Sequence, residues 1–175
     1  AQGRKDEMLK LYVKGGRYLN LLSGLIMGFL APFALFLMIA WLGEKEMTRT
    51  AAAVLAIFTV PYQAHVLTGP GSAFFRGAGR PSRELVYALT QIGFLAVTVP
   101  AGFLLFGKTI LVICGAVAVS MVGSALVYLV YTNRVLGLAH GLYFRRAFLP
   151  GFVPYLVGGL LVLAVQPLWG WAVSD

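Results

Sequence analysis

Five polar residues interrupt an otherwise apolar background: Arg17, Asn20, Gln63, His65 and Gln91. Arg17 stands just before an apolar run, where a guanidinium suits an entering phosphate and equally suits fixing the run's orientation from solvent. Gln63 and His65 fall in Pro61-Tyr62-Gln63-Ala64-His65, deep in another run. An amide or imidazole in hydrocarbon is costly unless it faces a partner helix or a wet cavity. Positions two apart are about 200° apart around a helix, so the pair shares one cavity only if Pro61 distorts the turn. Two readings stay open: a polar wall along a passage, or an amide bonded to a neighbouring helix beside a packed imidazole. Gln91, with Thr90 and Thr98 in the same run, and Asn20 near the start of the first are further candidates for a polar interior.

Other chemistry is excluded more readily. The chain has no His-Glu-x-x-His for zinc and no paired aspartates to hold magnesium on a diphosphate. The single Cys114, inside an apolar stretch, forms neither a disulfide framework nor a thiolate metal site within one chain. Ser72, in Gly69-Pro-Gly-Ser-Ala73, lacks the following glycine of a nucleophile elbow, and the nearest candidate base, His65, is seven residues away. No acid lies deep in an apolar segment, which removes ring-of-charge ion filters and intramembrane proton or sodium sites. We therefore expect a non-enzyme that needs no cofactor and no metal.

The elements that must position these residues follow from composition. With 59% hydrophobic and 11% charged residues among 175, the chain departs from soluble domains, whose charged fraction is about a quarter. The expectation is an all-α integral membrane protein, since a span needs about 20 apolar residues. Five runs qualify: about 18–42, 51–75, 84–106, 110–131 and 148–173, forming a single bundle after a basic leader at 1–17. The third and fourth meet across Gly107-Lys108-Thr109, a tight hairpin. Continuous apolar runs favour helices over alternating barrel strands. The first run exceeds the 7–15 residues of a signal-peptide core and ends in no cleavage signal, so it is taken as a mature span.

A net charge of +8 does not imply nucleic acid, because the basic residues are spread over separate loops. Eleven Lys and Arg (Arg4, Lys5, Lys10, Lys14, Arg17, Arg76, Arg80, Arg83, Arg134, Arg145, Arg146) fall on the side of the N-terminus, against Lys45, Arg49 and Lys108 on the other. The positive-inside rule then predicts a cytoplasmic N-terminus and an outside C-terminus in a cell (inner) membrane, with Trp41, Trp169 and Trp171 at the outer interface. The segment from Val135 to Phe148 fits either an interfacial stretch or extensions of its flanking helices. Pro32, Pro61, Pro100 and Pro154 put a proline in four spans, where kinks are expected. Gly24/Gly28 and Ala116/Ser120/Ser124, at four-residue spacing, predict close helix contact. An odd span number and a first residue that is not Met lead us to expect a piece of a longer chain.

Thr68-Gly-Pro-Gly-Ser-Ala-Phe-Phe-Arg-Gly-Ala-Gly-Arg80-Pro-Ser resembles the loop-end segment of the polysaccharide flippases of the MOP superfamily, where a Gly-x-Gly-Arg/Lys run precedes a long helix. The hairpin Phe106-Gly107 leading to Gly115-Ala116-Val117-Ala118-Val119-Ser120 is similar to that family's short outer turn and Ala/Ser-rich helix, and Tyr12-Val-Lys-Gly-Gly-Arg17 to the opening of its second lobe. The resemblance covers about residues 10–145. It implies two six-helix lobes that flip lipid-linked oligosaccharides by alternating access, of which this chain would be most of one lobe, so that a missing second lobe or partner subunit is implied, with membrane lipids and a lipid-linked glycan as the other partners. On that footing Arg17 would attract the diphosphate, and Asn20, Gln63, His65 and Gln91 would lie along the substrate pathway. Drug exporters and peptidoglycan-precursor flippases belong to the same superfamily. A small non-transporting scaffold subunit is the alternative from a different class.

Overall fold

The computed structural model describes residues 2–169, and these are almost wholly helical, with no strands. Helix α1 (Gln2–Leu30) and α2 (Ala34–Leu42) are followed by α3 (Thr48–Val66) and α4 (Gly69–Gly77). A single 3-10 turn, Pro81–Glu84, opens α5 (Leu85–Phe106), which turns back into α6 (Ile110–Leu136). The short α7 (His140–Tyr143), a π-helical turn at Phe144–Phe148 and a 3-10 turn at Leu149–Phe152 lead into α8 (Val153–Trp169).

Among the described residues, three helical stretches are long and apolar enough to cross a membrane: Thr48–Gly77, Pro81–Phe106 and Ile110–Leu136. The pair α1 and α2 makes a fourth if counted as one bent span. Apolar helices of this length make the chain a membrane protein. Four of the five expected runs thus coincide with these stretches, two with altered shape. The first breaks at residues 31–33 with a 63° bend, because Pro32 has no N–H to return to the Gly28 carbonyl and its ring crowds the preceding turn. The fourth continues to Leu136, where Gly137 in the left-handed region (φ 69°) ends it. The fifth is shortened at its start, since regular helix begins only at Val153, and its last residues, with Trp171, lie outside the described residues. The leader is not a separate element: α1 runs through it, and Tyr12 and Gly16 are buried.

The prolines do not act alike. Helix α3 passes unbroken through Pro61 and α5 through Pro100. Helix α6 is the central element, packed against α5 on one side and α3 on the other. Its contact face is the small-residue row Ala116, Ser120, Ser124, with Tyr128 and Thr132 continuing it, all buried. Against α5, the Phe94 ring lies over Gly123, and the Thr98 hydroxyl donates to the Ala116 carbonyl (3.1 Å).

The other close contact joins the two ends of the chain. Tyr12, Gly16, Asn20, Gly24 and Gly28 form a stripe at four-residue spacing along α1, all buried. The stripe meets residues 143–158 in parallel register: Gly16 packs on the Tyr143 ring, Gly24 on Gly151, and Gly28 on Pro154 and Gly158. A methyl group at Gly28 would lie 2.8 Å from the Pro154 carbonyl carbon and the Tyr155 nitrogen, so only glycine lets these backbones touch. The expectation of close contact at Gly24/Gly28 and at Ala116/Ser120/Ser124 is borne out. Below this seam Tyr12, Leu67, Leu129, Leu136, Tyr143 and Ala147 form the apolar core, with Tyr12 stacked on Tyr143 (4.9 Å) and bonded to Asn133 Oδ1 (3.1 Å).

Candidate functional site: a polar groove between α3/α4 and α5

Helical arithmetic sends Gln63 and His65 to opposite sides of α3, because Pro61 leaves the helix unbroken. Gln63 faces inward and is fully buried. Its amide nitrogen donates to Asn20 Oδ1 (2.8 Å) and to the Gly151 carbonyl (2.8 Å). Asn20, also fully buried, donates to the Ala147 carbonyl (2.8 Å) and to that of Phe148. These carbonyls belong to the irregular turns before α8, where Pro150 and Pro154 have no N–H to give and the i to i−4 ladder is interrupted. The two side-chain amides thus replace backbone donors, which a dry interior requires. Asn20 and Gln63 are brought together as a clamp between helices, both fully buried.

His65 faces the other way and is exposed. Its Nδ1 lies 2.9 Å from the Tyr87 hydroxyl of α5, bridging the gap between α3 and α5. The bond belongs to a groove of about 450 Å³, lined by His65, Thr68, Ser72 and Arg76 from α3/α4 and by Glu84 and Tyr87 from the start of α5. Spacings of three and four residues put each set on one helix face. Helix α6 supports two of these lining residues from behind: the buried Tyr128 hydroxyl meets Ser72 Oγ (3.2 Å), and the Tyr128 ring packs edge-on against Tyr87 (6.1 Å). At the mouth Arg76 grips Glu84 in a two-pronged pair, Nε to Oε1 and Nη2 to Oε2, each 2.7 Å.

This arrangement can bind a polar or zwitterionic group at a membrane interface: hydroxyls and an imidazole along one wall, a paired cation and anion at the entrance, and apolar helix outside. Beyond the groove one side of α5 is half-buried against α6 and the other is uncovered, with no fully buried residue in the helix. Gln91 is half-buried on α5, one turn beyond Tyr87. Arg17 is exposed on α1, away from the groove-lining residues. Of the five residues singled out from sequence, only His65 lines the groove.

Tyr87, Arg76 and Glu84 were not singled out from the sequence, and Ser72 was weighed only as a nucleophile. The signal for them was present: Glu84, Tyr87 and Gln91 are spaced three and four apart on α5, as are Thr68, Ser72 and Arg76 across α3/α4. Among the described residues no three His, Cys, Asp or Glu side chains gather as a metal site would require. No family model, curated protein or solved structure matches the chain.

Proposed function

We propose that the chain forms part of a membrane transporter that moves an amphiphile with a polar headgroup between leaflets, of the class that flips lipid-linked oligosaccharides by alternating access. The observation that supports it is the groove itself, a polar strip from His65 to Glu84 cut into an apolar bundle and flanked by the uncovered surface of α5. Such a strip lets a headgroup travel between hydrogen-bonding walls while its chains stay in lipid. Thr68, Gly69, Ser72 and Arg76 of the loop-end segment that carries the family resemblance line one groove wall. In this reading the leader end is cytoplasmic, and a second lobe or partner subunit faces the bare side of α5.

A scaffold subunit is the second reading, favoured by the burial of Asn20 and Gln63 between helices, where both side-chain amide nitrogens are hydrogen-bonded. Cysteine accessibility separates the two. In a Cys114→Ser background, Ser72→Cys and Tyr87→Cys should react with a membrane-impermeant maleimide in native vesicles, and Gln63→Cys should not. Protection of all three sites would remove the groove as a wet path and leave the scaffold. If the groove is wet, His65→Ala with Tyr87→Phe, at unchanged abundance, should reduce surface glycan in the producing cells; undiminished glycan would refute the flippase reading.

A further inference from the structure

We propose that the leader end of the bundle carries a built binding site for an acidic phospholipid, made by Arg17 of α1 and by Arg145 and Arg146 of the π-helical turn. The parallel register sets their common level. Gly16 packs on Tyr143, so Arg17, one residue on, and Arg145 and Arg146, two and three residues on, flank the same contact. Lys14 lies within the same turn of α1, and Arg134 follows Asn133, which accepts the Tyr12 hydroxyl from this layer. All five cations are exposed, and none forms an ion pair among the described residues. No carboxylate lies in α6, in residues 137–152 or in α1 beyond Glu7.

Apolar groups stand beside the charges. Tyr18, Leu142, Phe144 and Leu149 are exposed large side chains, with Phe144 stacked on Phe148 (4.8 Å). Unpaired guanidinium groups beside exposed aromatic and aliphatic side chains suit a phosphodiester whose acyl chains remain attached, which favours a leaflet lipid over a free anion.

The site is held in place and does not depend on a flexible loop. Tyr143 and Ala147 are buried on either side of the arginine pair, and Asn20 fixes the Ala147 and Phe148 carbonyls. The π-helical turn is therefore pinned to α1 at both ends while its two arginines face outward. Asn20 is a positioning residue in this account, because it acts through the backbone of the turn.

The test is lipid retention by the detergent-extracted protein, measured by native mass spectrometry with phosphatidylglycerol and phosphatidylcholine supplied equally. The expected result is retention of phosphatidylglycerol over phosphatidylcholine, reduced at least fivefold by R145A/R146A and by R17A, and unchanged by R80A or K108A. Asn20→Ala, which keeps every charge, should lower retention while the protein remains folded by circular dichroism. Equal retention of the two lipids, no loss in R145A/R146A, or an equal loss in R80A would overturn the site. Displacement of the lipid by millimolar inorganic phosphate would overturn the choice of a lipid ligand. None of these outcomes depends on the groove or on transport.

Discussion

Replacing Gly24 by alanine tests the seam on which the bundle closes. The added methyl would collide with the Gly151 carbonyl and lie 3.0 Å from Gln63 Nε2. Ordinary contact begins at 3.4 Å, so α1 and the segment before α8 must part by about 1.3 Å at this level. A backbone carbonyl cannot rotate away as a side chain can. Asn20 lies one turn earlier, and its 2.8 Å bond to Ala147 would stretch to about 4 Å, beyond hydrogen-bonding range. Two buried bonds from Asn20 at about 1 kcal/mol each, with about 1–3 kcal/mol of overpacking, give a loss of about 3–5 kcal/mol. For a chain of this size that corresponds to a fall in Tm of roughly 10 °C. Tryptophan-fluorescence melting in detergent measures it, with Gly93→Ala as control, because nothing lies within 4 Å of a methyl group there. The control should hold or gain stability through helix propensity. A Gly24→Ala protein that melts with the wild type, or a control that falls equally, would refute the seam.

Gln63→Leu should lower stability by about 1–2 kcal/mol, since Asn20 Oδ1 and the Gly151 carbonyl lose their donor, while removal of the unpartnered Gln63 Oε1 offsets part of the loss; chemical denaturation in mixed micelles reads this out. Tyr143 supplies a pH dependence. Burial pushes its phenol up to about 12 from 10.0, so the folded state favours the neutral form. Its contribution is fully present below pH 10 and is lost as pH rises towards about 12. As pH rises across that range the wild type should lose stability relative to Tyr143→Phe, which has no phenol to ionise, and parallel melting curves would contradict the burial argument.

The helices were legible in the sequence because lipid-spanning segments need long apolar runs, and hydropathy reports these without reference to neighbours. Residues 85–106 and 110–136 follow those runs closely. Residues 144–152 were not legible, because their backbone is completed by Asn20 and Gln63, which are distant in sequence, and no local pattern records that debt. The leader's basic residues concealed its buried face, since Lys10, Lys14 and Arg17 point outward while Tyr12 and Gly16 point in. For the groove, polarity found His65 but passed over Tyr87, whose aromatic ring counts as part of an apolar run although its hydroxyl meets the imidazole. Depth and polarity alone also grouped Gln63 with His65, and only the unbroken helix at Pro61 separates them.

The amide clamp has a consequence for how the chain enters its membrane. Segments emerge from the ribosome in order, so α1 and α3 reach the bilayer before residues 147–151 have been made. During that interval the amide nitrogens of Asn20 and Gln63 lack their carbonyl acceptors there, a deficit of several kcal/mol in hydrocarbon. The two side chains can satisfy each other only in part, through the single Gln63 Nε2 to Asn20 Oδ1 bond. Nascent α1 and α3 are thereby held as a pair with spare donors until residues 147–151 arrive to complete them.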